Sequence, residues 1–123
     1  MPVKQTEAYS LPIPAGNTVT VVGPDIVNHS ARGLKVVLST TVIGTGSVTV
    51  IIEGKAKGSG LYYTLLSGAA VVTNVVNVYT VYPGLTAAAN VTATDVLPET
   101  FRVRLISNNA NAVTATCDFC TLL

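Results

Sequence analysis

The sequence predicts an all-β fold: a single-domain β-sandwich or jelly roll of about seven or eight short antiparallel strands, carrying an extended N-terminal arm. Three observations predict it. The 123 residues include 20 Val and 17 Thr, β-branched side chains whose stiff χ1 suits a pleated surface better than a helix. No long stretch keeps a 3.6-residue apolar period, the mark of an amphipathic helix. Short alternating runs recur instead, with turn residues every 8 to 15 positions, the spacing of sandwiches and barrels.

The elements follow in order. Residues 1–16 read as the arm: Pro2, Pro12 and Pro14 lack a donor and restrict the residues before them. "LPIP" is therefore no central strand; it is an edge segment or an arm lying on another chain. Residues 17–123 read as the sandwich. "NTVTVVG" (17–23) alternates as a strand, and "PDIVNHSARG" (24–33) is a loop with turn chemistry at Pro24-Asp25 and Asn28-His29-Ser30. "GLKVVLSTTVIG" (33–44) is the next strand, closed by Gly44-Thr45-Gly46. "SVTVIIEGKAKG" (47–58) and "GLYYTLLSG" (60–68) form a β-hairpin with a glycine-rich, exposed tip. "AAVVTNVVNVYTVYPG" (69–84) holds one or two strands, the better being "VVNVYTVYP". "GLTAAANVTATDVL" (84–97) is rich in Ala, but its Thr, Asn and Asp compete with the helix backbone and allow one helical turn at most. "ETFRVRLIS" (99–107) alternates cleanly, with Phe101, Val103 and Leu105 on one face and Arg102, Arg104 and Ile106 on the other. "NNANA" is a turn and "VTATCDFCTLL" the last strand.

Charge narrows the function. Charged residues make up 11% of the chain, against about 25% in an average globular domain. Seven Lys and Arg against six Asp and Glu give a net charge of +1. The basic residues are scattered, so nucleic acid is not an expected partner. No run of apolar residues is long enough for a membrane helix, and "MPVKQTEAYSLPIPAG" has no apolar core of a signal peptide.

The chemically active residue types do not converge in sequence. "CDFC" sets Cys117 and Cys120 three apart, but His29 is the one further soft ligand, short of a zinc set. On a strand, residues three apart face opposite sides, which works against shared ligation and against a disulfide. Packing cysteines are the plainer reading. His29 has Ser30 and Asp25 nearby, yet no G-x-S-x-G elbow exists to raise a nucleophile. Glu7, Asp25, Glu53, Asp95, Glu99 and Asp118 are spread too widely to place two across a cleft. Glu53 beside Lys55, and Glu99 near Arg102, read as surface charge pairs of small value. "GTGSVTV" and "GSG" lack the Lys-Ser/Thr of a phosphate loop. The expectation is no enzyme, no catalytic residue, no metal and no cofactor.

Two features point to protein contact. Arg102 and Arg104 share a strand face and, with Tyr62, Tyr63, Tyr79 and Tyr82, offer the residue types enriched at interfaces. The outward strand positions are mostly Thr, Ser, Asn and Ala, a surface poor at repelling neighbours and suited to an assembly.

The chain also resembles a family: the small all-β virion proteins of tailed double-stranded DNA bacteriophages, often encoded beside the major capsid gene. The motifs that carry it are "GLKVVLSTTVIGTGSVTVIIEGK", "SGLYYTLLSGAAV", "VYPGL" at 81–85 and the stretch 97–104, "LPETFRVR", in that order within residues 17–107. "CDFC" is outside this pattern. The resemblance implies a head decoration or cement protein, made in the host cytoplasm and carried on the capsid exterior as a dimer or trimer. Its partner would be the major capsid protein, bound through the arm at Tyr9, Leu11 and Ile13, with Tyr62, Tyr63, Arg102 and Arg104 as further contacts. The alternatives are another virion sandwich protein, such as a head–tail connector or tail component, or a carbohydrate- or receptor-binding module using the tyrosines of the hairpin tip.

Overall fold

A computed structural model of the chain describes residues 5–17, 21–42, 46–107 and 113–123; for 5–17, 41, 42 and 113 it gives the backbone course alone. Among the described residues there are ten strands and no helix: β1 (Gln5–Asn17), β2 (Val21–Val22), β3 (Ile26–Val27), β4 (Gly33–Val42), β5 (Val48–Lys55), β6 (Tyr62–Ser67), β7 (Val76–Val81), β8 (Thr92–Ala93), β9 (Thr100–Ser107) and β10 (Val113–Leu122). They form two sheets. The first runs β1-β10-β4-β7-β8; the second runs β2-β9-β5-β6, with β3 also on β9. All pairings are antiparallel except the short β7–β8 contact.

The pairing is nested. β5 turns straight into β6; outside it β4 pairs β7, then β2 and β3 pair β9, and outermost β1 pairs β10. The chain is thus one long hairpin with its tip at residues 56–61, rolled so that β4 also meets β10 and β5 also meets β9. The expected hairpin sits at the centre of that roll. Its tip is closed by Ala56 N–H on Leu61 O (2.7 Å) and Gly60 N–H on Ala56 O (2.8 Å), with Gly60 at φ 74°.

Alternation places the core between the sheets. Leu34, Val36, Leu38, Tyr79, Val81, Ala115, Cys117 and Phe119 come from the first sheet. Ile26, Val48, Val50, Ile52, Leu66, Phe101, Val103 and Leu105 come from the second. Phe101 is the largest side chain with no exposure, and its burial contributes about 1.5–3 kcal/mol. The 24–33 loop is pinned by Asn28, whose Oδ1 accepts from Ala31 N–H (2.8 Å) and whose Nδ2 donates to Ala31 O (2.8 Å) and Leu97 O (3.2 Å). This loop carries β3, too short to read from sequence.

Some expectations gain detail. Residues 5–17 are extended, and they lie on the chain's own β10 as the edge strand of the first sheet. The Ala-rich stretch makes one tight turn, with Val91 and Thr92 N–H both on Ala88 O and Asn90 left-handed at φ 61°, before entering β8. The "NNANA" turn and residues 18–20 and 43–45 lie outside the described residues.

Candidate functional site

The polar side chains converge on the outer face of the second sheet. Register explains how. β5 pairs β9 with Glu53 opposite Arg102 and Ile51 opposite Arg104, while β6 brings Tyr62 opposite Lys55. One carboxylate therefore lies within reach of two guanidiniums. Glu53 Oε1 accepts from Arg102 Nε at 2.7 Å and lies 3.0 Å from Arg104 Nε. The Glu53 side chain is only 9% exposed, so it is screened far less than a surface carboxylate. The Arg104 contact is an ion pair without hydrogen-bond alignment, which leaves its buried Nε unpartnered.

A second carboxylate closes the cluster from the β2–β3 link. Asp25 accepts from the Tyr62 hydroxyl at 2.6 Å and from Lys55 Nζ at 3.0 Å. The Arg102 guanidinium carbon lies 3.5 Å from the Tyr62 ring centroid and Lys55 Nζ 5.5 Å from it, both cation–π contacts. The Tyr62 hydrogen bond, then that of Lys55, holds the Asp25 carboxyl below the usual range. The same bond to Asp25 raises Lys55.

The chain matches no family model, no curated protein and no solved structure.

The structure sorts the residues singled out from sequence. Arg102, Arg104 and Tyr62 come together, as members of this network. Tyr63 turns to the other face, over Gly54 and Pro98, and is 45% exposed. Tyr79 is not part of the patch but lies in the core, its hydroxyl raised by burial. Tyr82 stands apart too, donating to Leu123 O at 2.8 Å. Tyr9, Leu11 and Ile13 occupy β1 opposite Phe119, Cys117 and Ala115; their side chains lie outside the described ones. Cys117 is fully buried and its thiol is pushed up to about 12 by desolvation. Cys120 faces the opposite side, half-buried, and both thiols are free. His29 sits exposed on the 24–33 loop.

The charge pairs differ from those read along the chain. Glu53 joins Arg102 and Arg104 instead of Lys55; Lys55 joins Asp25; Glu99 joins Lys57, not Arg102, at 3.0 Å in the open. Glu53 and Asp25 are the partners that sequence reasoning missed. Alternation put Arg102 and Arg104 on one face, but only the β5–β9 register, across 49 residues, says which carboxylate faces them.

Proposed function

We propose that this chain is a structural protein of a tailed-bacteriophage virion: a jelly-roll β-sandwich that binds the assembled head from outside as a homo-oligomer and cements neighbouring capsid subunits, without chemistry of its own. The observation that carries the reading is the nested strand order. With β2 and β3 taken as one interrupted strand and β8 set aside, two sheets of order β1-β10-β4-β7 and β2/β3-β9-β5-β6 remain. That order supports a jelly roll, an architecture that recurs in viral capsid and lectin domains. Fold alone does not set function; the motif resemblance over residues 17–107 directs it to the virion.

The polar network favours this reading over a sugar-binding one. Tyr62 has its hydroxyl committed to Asp25 and its ring to Arg102, so it offers no open stacking platform. Contact would come through buried surface along β1, the edge strand of the first sheet.

The test is co-sedimentation of the full chain with assembled empty shells of the phage that encodes it, free capsid subunits serving as the control. Pelleting with shells alone supports cementing. Failure to pellet moves the chain to a connector, tail or receptor-binding role. Removing residues 1–14 would strip β1 from β10, so the arm is better probed by replacing Tyr9, Leu11 and Ile13 with Ala. Loss of pelleting with an unchanged circular dichroism spectrum assigns the contact to β1; unchanged pelleting removes it from β1.

A further inference from the structure

The two edges of the first sheet are treated differently. On β1, Pro12 stands opposite Thr116 and has no N–H to donate. The bonded pairs with β10 must then be those of Tyr9, Leu11 and Ile13, and Pro12 faces outward, where it blunts the edge against a further strand. At the opposite edge, Thr80 and Tyr82 donate to Val91 O and Ala93 O, both at 3.0 Å. Strand alternation turns the backbone N–H and C=O of Val76 and Val78 to that same side, before β8 begins. The chain swings away there at left-handed Asn90, and β7 carries no Pro, Lys or Glu to protect the edge.

Beside this edge, which no described strand covers, lies an open groove of about 520 Å³, lined by Val72, Val75, Val78 and Val91 among others, with no charged side chain among its described lining residues. Val72, Val76, Val78 and Val91 are 59%, 61%, 44% and 47% exposed. Val72, Val75, Val78 and Val91 give the groove an apolar lining, and Val76 is exposed near it on the outer face of β7; exposed apolar surface of this kind marks a contact. Both walls are fixed. The Thr40 hydroxyl donates to Thr73 O at 2.9 Å and its N–H to Val75 O at 3.1 Å, while the Ala88–Thr92 turn closes on itself. A preformed site binds with less ordering cost.

We propose that a second copy of this chain pairs here, β7 against β7, antiparallel about a two-fold axis at Asn77. The register sets Val76 opposite the second copy's Val78 on both sides of the axis. Those are the bonded positions, so the open N–H and C=O groups of each edge are satisfied by the other. On the outer face four valines become cross-strand neighbours, the pairing of β-branched residues that stabilises sheets, and the row continues onto Val37, which pairs Val78 within the chain. A two-fold contact brings like residues near one another, and a charged edge would repel its copy. None of the described residues lining this groove carries a charge. The proposal gives the homo-oligomer suggested above its contact, and it can fail separately from the capsid reading.

Sedimentation velocity of the full chain over a concentration series tests it, with Val76→Lys, Val78→Asp and the double variant. The parent should form a dimer that dissociates on dilution. Either single variant should move the midpoint up by at least about tenfold. The double variant should recover dimer, because the ammonium introduced at position 76 of each copy then faces the carboxylate introduced at position 78 of the other. Unchanged thermal melts keep folding out of the comparison. A parent that is monomeric throughout, or single variants that dimerise like the parent, overturns the proposal. If the parent is monomeric and Val76→Lys abolishes pelleting with shells, the edge belongs to the capsid and the second copy is ruled out. If Val76→Lys abolishes the dimer while pelleting stays intact, the edge is the dimer contact and the shell is met elsewhere.

Discussion

Arg102 carries its guanidinium carbon 3.5 Å from the centroid of the Tyr62 ring while its Nε donates to Glu53 at 2.7 Å. The residues sit on three neighbouring strands of one sheet, β6, β5 and β9. The stack and the ion pair therefore act across the strands, and Asp25 extends the tie to the β2–β3 link through the Tyr62 hydroxyl. The outer face of this sheet is braced by its own charges.

The two arginines should differ in value. Glu53→Gln leaves both guanidiniums without their carboxylate and is expected to cost about 2 kcal/mol in urea unfolding. Arg104→Met removes a buried Nε that already lacks a hydrogen-bond partner while keeping the apolar stem, and should cost less than about 1 kcal/mol. Equal losses would show that removing Arg104 costs as much as taking the carboxylate from both arginines, against the weaker role given to Arg104.

Asp25 makes stability depend on acid pH. Its folded carboxyl lies below the usual value of 3.8, so the unfolded chain takes up the proton first. The contribution is complete above the unfolded value and is lost as pH falls through the folded one. Asp25→Asn should flatten the stability profile below about pH 4, read by thermal melts from about pH 2 into the alkaline range above about pH 10. Lys55, raised by the same contact, gives the opposite limb: its share is complete below the usual 10.5 and is lost as pH climbs through the higher folded value. A parallel fall in parent and variant at both ends would remove the Asp25–Lys55 contact from the account.

The cysteines should react in two phases. Cys117 has no exposure and its thiol is pushed up to about 12, so a thiol reagent at pH 8 should reach it only after unfolding. Cys120 is half-buried with its pKa raised by desolvation and should label slowly in the native state. Mass spectrometry of the natively labelled protein should find one adduct, on Cys120. Two adducts at similar rates would contradict the inward placement of Cys117.

Two glycines mark close approaches of unequal severity. A Cβ on Gly33 would run into the Val81 carbonyl oxygen, and main chain cannot step aside. A Cβ on Gly54 would meet the Tyr63 ring at 2.6 Å and Pro98 at 2.8 Å, and Tyr63, 45% exposed, has room to swing out. Gly33→Ala is expected to cost about 3 kcal/mol and Gly54→Ala about 1–2 kcal/mol, measured by chemical denaturation. The reverse order would mean that β4 and β7 separate more easily than their backbone pairing implies.

The sequence by itself determined the longer strands and, where alternation is unbroken, which of their residues turn inward. In "ETFRVRLIS" the period of two is unbroken, and Phe101, Val103 and Leu105 are fully buried as that period requires. The opposed faces of Cys117 and Cys120 follow from the same local rule. Pro12 likewise restricted β1 to an edge, because a missing N–H is a property of one residue. Tertiary structure alone decided which strands lie side by side. The carboxylate that faces Arg102 and Arg104, the removal of Tyr79 to the core, and the bare edge at Val76–Val78 all depend on register between segments distant in the chain. "AAVVTNVVNVYTVYPG" reads as one or two strands and no more, since valine suits either face of a strand. Only the point where β8 meets β7, at Thr80 and Val81, leaves the edge of β7 at Val76 and Val78 uncovered by a described strand. Alternation is fixed by the covalent geometry of each strand; pairing is fixed by how the whole roll closes over one core.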